Sequence, residues 1–294
     1  MIDLHCHILP GIDDGARDLA TSLAMAEAFV AQGVRVVACT PHILPGLYHN
    51  TGPGIRAAVA ALQAEVDRVG LPLHLTTGAD VHIAPGLVAG LRSGQILSLG
   101  DSRYVLIEPP HHVLPARFDE TLFELMLGGF VPIITHPERL SWLGAHYALI
   151  QKLASHGVWM QITAGSLSGK FGKTALNLAR RMLDEGIVHI VATDAHDMQR
   201  RRPDLAEARD TLARLVGPDE AEALVAGRPL GILHNTSPEE LLMRGAGRSV
   251  DGGAMSSGRV PASRGGVGDA DDQVEYGVGG SLSRIRRRLF GFLQ

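Results

Sequence analysis

The chain has 294 residues, a formal net charge of −4, 45% hydrophobic and 20% charged residues, and two cysteines. That length accommodates one large α/β domain, and the composition excludes a disordered or fibrous chain. The charge excludes a broadly basic nucleic-acid-binding protein, two cysteines exclude a disulfide framework, and with no secretory leader or membrane-length apolar run in the sequence, a cytoplasmic location is expected.

The chain opens on Asp3-Leu4-His5-Cys6-His7, a strand-like run followed by Gly11-Ile12-Asp13-Asp14-Gly15. Alternate side chains of a strand share a face, so His5 and His7 point one way and Cys6 the other. Residues 16–32 repeat apolar positions at helical spacing (Leu19, Leu23, Ala26, Phe29, Val30), with Gly33 as a C-terminal stop. A β-branched strand over 34–40 ends at Pro41-His42, and 55–69 reads as a helix. Short strands are expected at 73–77 and 79–83, a short helix at 85–91, and a strand at 104–108 closed by Pro109-Pro110. A helix at 118–127 precedes a strand at 131–135 that ends at His136-Pro137. Segments 145–155, 159–163, 174–185 and 188–193 continue the alternation, and segments 205–216, 220–225 and 238–243 complete the folded part.

Strands alternating with helices predict a parallel sheet with crossover helices, and the repetition favours a barrel over an open sheet. In such barrels chemistry sits at the C-terminal ends of the strands. His5, His7, His42, Asp80, Glu108, His136, Asp194 and His196 all fall at or just beyond predicted strand ends. Imidazoles and carboxylates without thiolates suit Mn, Fe(II), Zn, Co or Ni. Each residue alone has an ordinary structural reading, but a dense ring of buried polar groups is costly to gather without cations. Cysteine-based phosphate chemistry is excluded by spacing, because the arginine it needs six residues after the cysteine is replaced by Ile12 after Cys6 and by Pro45 after Cys39. There is no P-loop and no Gly-x-Ser-x-Gly elbow.

The opening motif, Thr40-Pro41-His42, Gly78-Ala79-Asp80, Ser102-Arg103-Tyr104-Val105-Leu106-Ile107-Glu108, His136-Pro137-Glu138-Arg139 and Thr193-Asp194-Ala195-His196 occur in order along the chain. Together they resemble the polymerase-and-histidinol-phosphatase (PHP) superfamily, and within it the bacterial capsule-type, manganese-dependent protein-tyrosine phosphatases. The resemblance implies a distorted seven-stranded (β/α) barrel over 1–243 holding three divalent metal ions, Mn in the first place. It implies that one ion takes His5, His7, Asp80 and Asp194, that a second shares Asp80 and adds Glu108 and His136, and that a third takes Asp14, His42 and His196. It also implies that Arg139 and Arg201 contact the substrate phosphate, Arg201 being flanked by Arg200 and Arg202. One departure is Asp80, where the family usually carries Glu; His82 on the same strand face is read as a structural histidine, and His111 and His112 as residues near the mouth of the site.

The implied activity is hydrolysis of phosphotyrosine on a partner protein, a membrane-anchored bacterial tyrosine kinase controlling capsule or exopolysaccharide synthesis. The alternatives are a phosphatase of the same fold acting on a small phosphomonoester such as histidinol phosphate, an amidohydrolase, and a metal-stabilised binding module with weak or no catalysis. Residues 244–294 are rich in Gly, Ser and Arg and read as a flexible tail. Leu282, Ile285, Leu289 and Phe292 with Arg284, Arg286, Arg287 and Arg288 form a short basic amphipathic end suited at most to weak contact with a membrane surface.

Overall fold

Strand β1 (Ile2–Cys6) is buried along its whole length, and so are β7 (Tyr104–Glu108), β8 (Val131–Thr135) and β9 (Trp159–Thr163). Burial on both faces is what a parallel sheet covered by crossover helices imposes, and it explains why these strands read as near-continuous apolar runs. The computed structural model describes residues 1–246, which form one compact unit, Met1–Ala246. The amphipathic end expected in the tail lies outside the described residues.

The strands form two sheets. One has the order β1, β2 (Val36–Cys39), β5 (His74–Thr77), all parallel. The other runs β10 (Ile190–Ala192), β9, β8, β7, β6 (Asp80–His82), β3 (His42–Leu44), β4 (Tyr48–His49), with only the β3–β4 hairpin antiparallel. The expected parallel α/β arrangement is present; a single closed sheet is not found among the described residues.

The reason lies in two breaks. The expected strand 34–40 ends at Cys39, and Pro41, which has no N–H to give a ladder, separates it from β3. The neighbouring strand breaks at Gly78-Ala79, between β5 and β6. A Cβ on Gly78 would lie 2.9 Å from Thr40 Cγ2 and 3.0 Å from Leu99 Cδ2, so the two breaks can nest only with glycine there. Each broken strand thus contributes its first half to one sheet and its second half to the other. The far edges meet at a parallel bridge between Cys6 and Ala195, with Asp194 N–H donating to His5 O at 2.8 Å and His7 N–H donating to Ala195 O at 2.9 Å.

Helices α1 (Leu19–Ala31), α2 (Gly52–Arg68), α3 (Leu87–Arg92), α4 (Phe118–Leu127), α5 (Tyr147–Ser155), α6 (Ala164–Leu167), α7 (Gly172–Asp184) and α8 (Leu205–Leu215) follow the strands. Asp18 caps α1, accepting from Thr21 N–H at 2.8 Å. The segment expected at 220–225 is two pieces, α9 (Pro218–Glu222) and a wide π-helical turn (Ala223–Gly227), followed by α10 (Arg228–Leu233). Pro229, lacking an N–H, interrupts the regular ladder at that point. Helix α11 (Pro238–Ala246) then lays Leu241 on the core.

That core joins Leu4, Leu106, Ile133, Trp159, Ile190 and Ile232, and each such side chain contributes roughly 1.5–3 kcal/mol by leaving water. Trp159 is packed edge-on by Tyr104 and stacked at 4.8 Å on His189. His189 Nδ1 accepts from Met160 N–H at 3.1 Å. Burial, helped by the charge of Arg228, pushes the His189 imidazole down from 6.5 to about 3. Below pH 6.5 the unfolded chain therefore binds a proton that the folded chain refuses, and stability falls as the pH drops through that window at about 1.4 kcal/mol per pH unit. In urea unfolding, His189→Asn keeps an acceptor for Met160 N–H and removes this titration. The wild type is expected to lose about 2 kcal/mol more than the variant between pH 7 and pH 5; equal losses would contradict the assignment.

Candidate metal centre

The register of the strands assembles the site. His42 pairs with Asp80 across β3–β6, and His82 pairs with Glu108 across β6–β7. His5 sits near the end of β1, with His7 just beyond it on the same face. His136 and Asp194 follow β8 and β10 and take left-handed backbone conformations, φ 34° and 52°. Non-glycine residues rarely adopt these angles, and strain of this kind is characteristic of residues whose side chains are aimed by the surrounding structure.

The side chains converge. His5 Nε2 and His7 Nε2 face each other at 3.2 Å, and both approach Asp194 Oδ1, at 3.4 and 3.3 Å. Asp80 Oδ2 lies 3.4 Å from His5 Nε2 and 3.4 Å from His42 Nδ1. Asp14 Oδ1 lies 3.3 Å from His42 Nε2 and 3.4 Å from His196 Nε2. Glu108 Oε1 is 3.5 Å from His136 Nε2. The sets His5–His7–Asp80, His5–His136–Asp194 and His7–Asp14–His42–His196 each bring their ligand atoms within 4.8 Å of one another. All nine residues that the sequence marked as metal ligands thus meet in one region, and all but Asp14 are buried.

The protonation pattern fits divalent cations. His5 Nδ1 donates to Gln161 Oε1 at 2.9 Å, His7 Nδ1 to Asp13 Oδ2 at 2.8 Å and His196 Nδ1 to the Asp194 carbonyl at 2.9 Å. Each outer nitrogen faces an acceptor that has no proton, so it carries a hydrogen and aims the inner Nε2 into the site, the orientation in which imidazole binds a metal. Both oxygens of Asp80, Asp194 Oδ1 and His136 Nδ1 are buried without any hydrogen-bond partner. Uncompensated carboxylate oxygens in such a place are strongly destabilising, and a cation removes that penalty.

The electrostatics agree. Burial pulls His5 and His42 down, but Asp194 and Asp80 outweigh it at His5, lifting it to about 9, and Asp14 and Glu108 lift His42 to about 11. Against the cost of burial, His111, His42 and His82 hold Glu108 far below the usual carboxylate range, and Arg201 and His5 do the same for Asp194. His196 is pulled down by burial and by His7, to about 4. The pocket is a negative well in which positive charge is held tightly.

Both arginines singled out in the sequence face this well. Arg139 Nη1 and Arg201 Nη2 pair with Asp194 Oδ2, and Arg201 Nη1 lies 2.8 Å from His196 Nε2. The Arg139 guanidinium lies 4.2 Å over the Phe171 ring. Arg200 and Arg202 are exposed. Asp197 sets the turn by accepting from Gln199 and Arg200 N–H at 2.6 Å, which leaves Arg201 as the inward member of the triplet.

Sequence reasoning missed several supports. Asp13 holds His7, accepts from His42 N–H at 3.1 Å and from Gly15 N–H at 2.9 Å. Gln161 is a polar residue inside an otherwise apolar strand, a signal that was available. Glu138 Oε1 accepts from Thr163 N–H at 2.9 Å and Ser166 Oγ at 2.7 Å, anchoring the turn that carries His136 and Arg139. His82, read from the sequence as structural, lies 2.6 Å from Glu108 Oε2, and His111 Nε2 lies 3.1 Å from Glu108 Oε1.

The sequence pattern of the family described as capsular polysaccharide synthesis, CpsB/CapC, matches residues 1–234. This chain belongs to that family. It is 38% identical over 217 residues to tyrosine-protein phosphatase YwqE of Bacillus subtilis, covering 74% of this chain and 85% of the relative. It is 29% identical over 238 residues to tyrosine-protein phosphatase CpsB of Streptococcus pneumoniae, covering 79% of this chain and 98% of that one. A crystal structure from work on YwqE and CpsB as metal-dependent tyrosine phosphatases superposes with a TM-score of 0.78 at 36% identity, over 81% of this chain and 96% of the other. The CpsB/CapC match contains every converging residue from His5 to His196 and both arginines.

Because outer hydrogen bonds orient metal-binding imidazoles, Asp13→Ala is expected to weaken divalent-metal affinity by about 10–100-fold with an unchanged circular dichroism spectrum. Competition against a coloured chelator reads this directly, and an unaltered affinity would remove Asp13 from the support of the site.

Proposed function

We propose that this chain is a metal-dependent protein-tyrosine phosphatase, cytoplasmic, acting on a membrane-anchored tyrosine kinase of capsule or exopolysaccharide synthesis. The observation that carries the reading is the buried Asp80 carboxylate, with no hydrogen-bond partner, among imidazoles whose inner nitrogens point into the site. Membership of the CpsB/CapC family and the names of the relatives supply the substrate class and pathway. The two sheets act as one distorted seven-stranded barrel, a reading supported by the Cys6–Ala195 bridge. His5, His7, Asp14, His42, Asp80, Glu108, His136, Asp194 and His196 hold three divalent ions, manganese in the first place.

Bound ions supply Lewis-acid polarisation of the phosphoryl oxygens and acidify water. Arg139 and Arg201 share the Asp194 carboxylate and present guanidinium edges to the phosphoryl group, gripping its oxygens as charge spreads over them. Phe171 beneath Arg139 and Asp197 beneath the Arg201 turn fix the directions of these side chains. Asp13 and Gln161 hold the imidazoles in one tautomer, so that the chemistry begins without rearrangement. The leaving phenolate has an ordinary pKa near 10, so its departure needs only modest assistance. No phosphoenzyme is required, and Cys6 and Cys39 are buried thiols whose pKa values burial raises further.

The full chain is expected to release phosphate from a phosphotyrosyl peptide, to lose the activity to a chelator and to regain it with Mn2+. His136→Ala is expected to lower kcat at least about 100-fold with the fold retained. Turnover of histidinol phosphate without turnover of the peptide would overturn the substrate assignment, and near-normal rates from His136→Ala would remove that residue from the mechanism.

A further inference from the structure

Asp80 groups with His5 and His7, and not with Glu108 and His136. Glu108 instead collects imidazoles of its own. His82 stands opposite it in the β6–β7 register, with Nε2 2.6 Å from Glu108 Oε2, and His111, three residues further along, reaches Oε1 at 3.1 Å. His136 approaches Oε1 from the third side at 3.5 Å, with its ring 5.1 Å from that of His111. Glu108 Oε2 is buried without a well-directed hydrogen-bond donor, and His82 Nε2 also lies 3.3 Å from His42 Nδ1. The ligand atoms of His42, His82 and Glu108 form one set within 4.8 Å, and those of Glu108, His111 and His136 form another.

We propose that His82 and His111 are metal ligands on the two sides of Glu108, His111 with His136 at Oε1 and His82 with His42 at Oε2, distinct in chemistry from the oxygen-richer position at Asp80 and Asp194. This rests on the metal-dependent reading above and extends it. A set of two imidazoles and one carboxylate binds Zn2+, Co2+ or Fe2+ more tightly than Mn2+. His82 and His111 are partly exposed, at 15% and 32% of their side-chain surface, so both belong to the outward side of the centre, where an ion exchanges with solvent.

The test compares the full-length wild type with His82→Gln and His111→Gln, each stripped with chelator and reloaded separately with Mn2+ and with Zn2+. Glutamine keeps an N–H to give Glu108 but is a poor metal ligand, so a purely structural hydrogen bond survives the change and a ligand role does not. His112→Gln is the control, because His112 is exposed and its nearest polar neighbour is Ser141 Oγ at 3.5 Å. Metal content after gel filtration and Kd by chelator competition are read for each protein, with circular dichroism to confirm the fold. The expected result is loss of one retained ion, or at least about a 10-fold weaker Kd for one ion, in both variants and not in the control. The effect is expected to be larger for Zn2+ than for Mn2+.

Unchanged stoichiometry and Kd in His82→Gln and His111→Gln overturn the proposal, and so does a wild type that retains no ion. Loss of one ion from the variants, in a protein whose wild type fails to hydrolyse the phosphotyrosyl peptide, supports the ligand assignment and removes only the substrate reading.

Discussion

Three carboxylates, Asp80, Glu108 and Asp194, are buried within a few ångströms of seven imidazoles, five of which are buried as well. Charges that close, in a medium less polar than water, interact by several kilocalories per mole at an effective dielectric near 20. They persist only where positive charge is interleaved with negative. Protons and guanidinium groups supply part of that charge, since His5 and His42 are strongly basic and two arginines converge on Asp194. They do not supply all of it, because Asp80 accepts no hydrogen bond at all. The demand for compensating charge therefore dictates the chemistry of the site, whose imidazole and carboxylate sets suit divalent cations.

The scaffold has to hold such a cluster against its own repulsion. It does so from beneath with an apolar core and from the sides with a layer of neutral or singly charged partners. Asp3 accepts from Thr193 and from His5 N–H at 3.0 Å, locking the ends of β1 and β10 together just below His5 and Asp194. Glu138 fixes the turn that forces His136 into a left-handed conformation, and Asp13 ties the first loop to both His7 and His42. The backbone strain at His136 and Asp194 is sustained because these contacts over-determine the two positions.

Much of this was readable in the order of residues. The strands at 104–108, 131–135 and 159–163 and the helix at 118–127 stand where apolar patterning put them, since burial on both faces or on one helical stripe leaves a local trace. The metal-binding residue types were readable because they cluster at strand ends. What was not readable depends on register between strands. Nothing local to His82 reveals that it stands opposite Glu108, and nothing local to Gln161 reveals that His5 needs its carbonyl oxygen. The strand breaks were visible, one at Pro41 and the other between the expected strands 73–77 and 79–83; what the sequence could not show is that Thr40 and Leu99 fill the space of the side chain that Gly78 lacks.

Exposure differs sharply across the cluster. His5 and Asp80 are sealed, so neither can touch an incoming group. Asp14 is 46% exposed, Arg201 24% and Arg139 13%, and these belong to three separate stretches of chain: the first loop, the turn after His196 and the turn after β8. Beside the exposed Asp14 carboxylate, the two guanidinium groups set positive charge against Asp194, the carboxylate with which both pair. Asp194 presents one oxygen to the arginines and the other to His5 and His7, so a single carboxylate ties the guanidinium pair to the imidazole cluster.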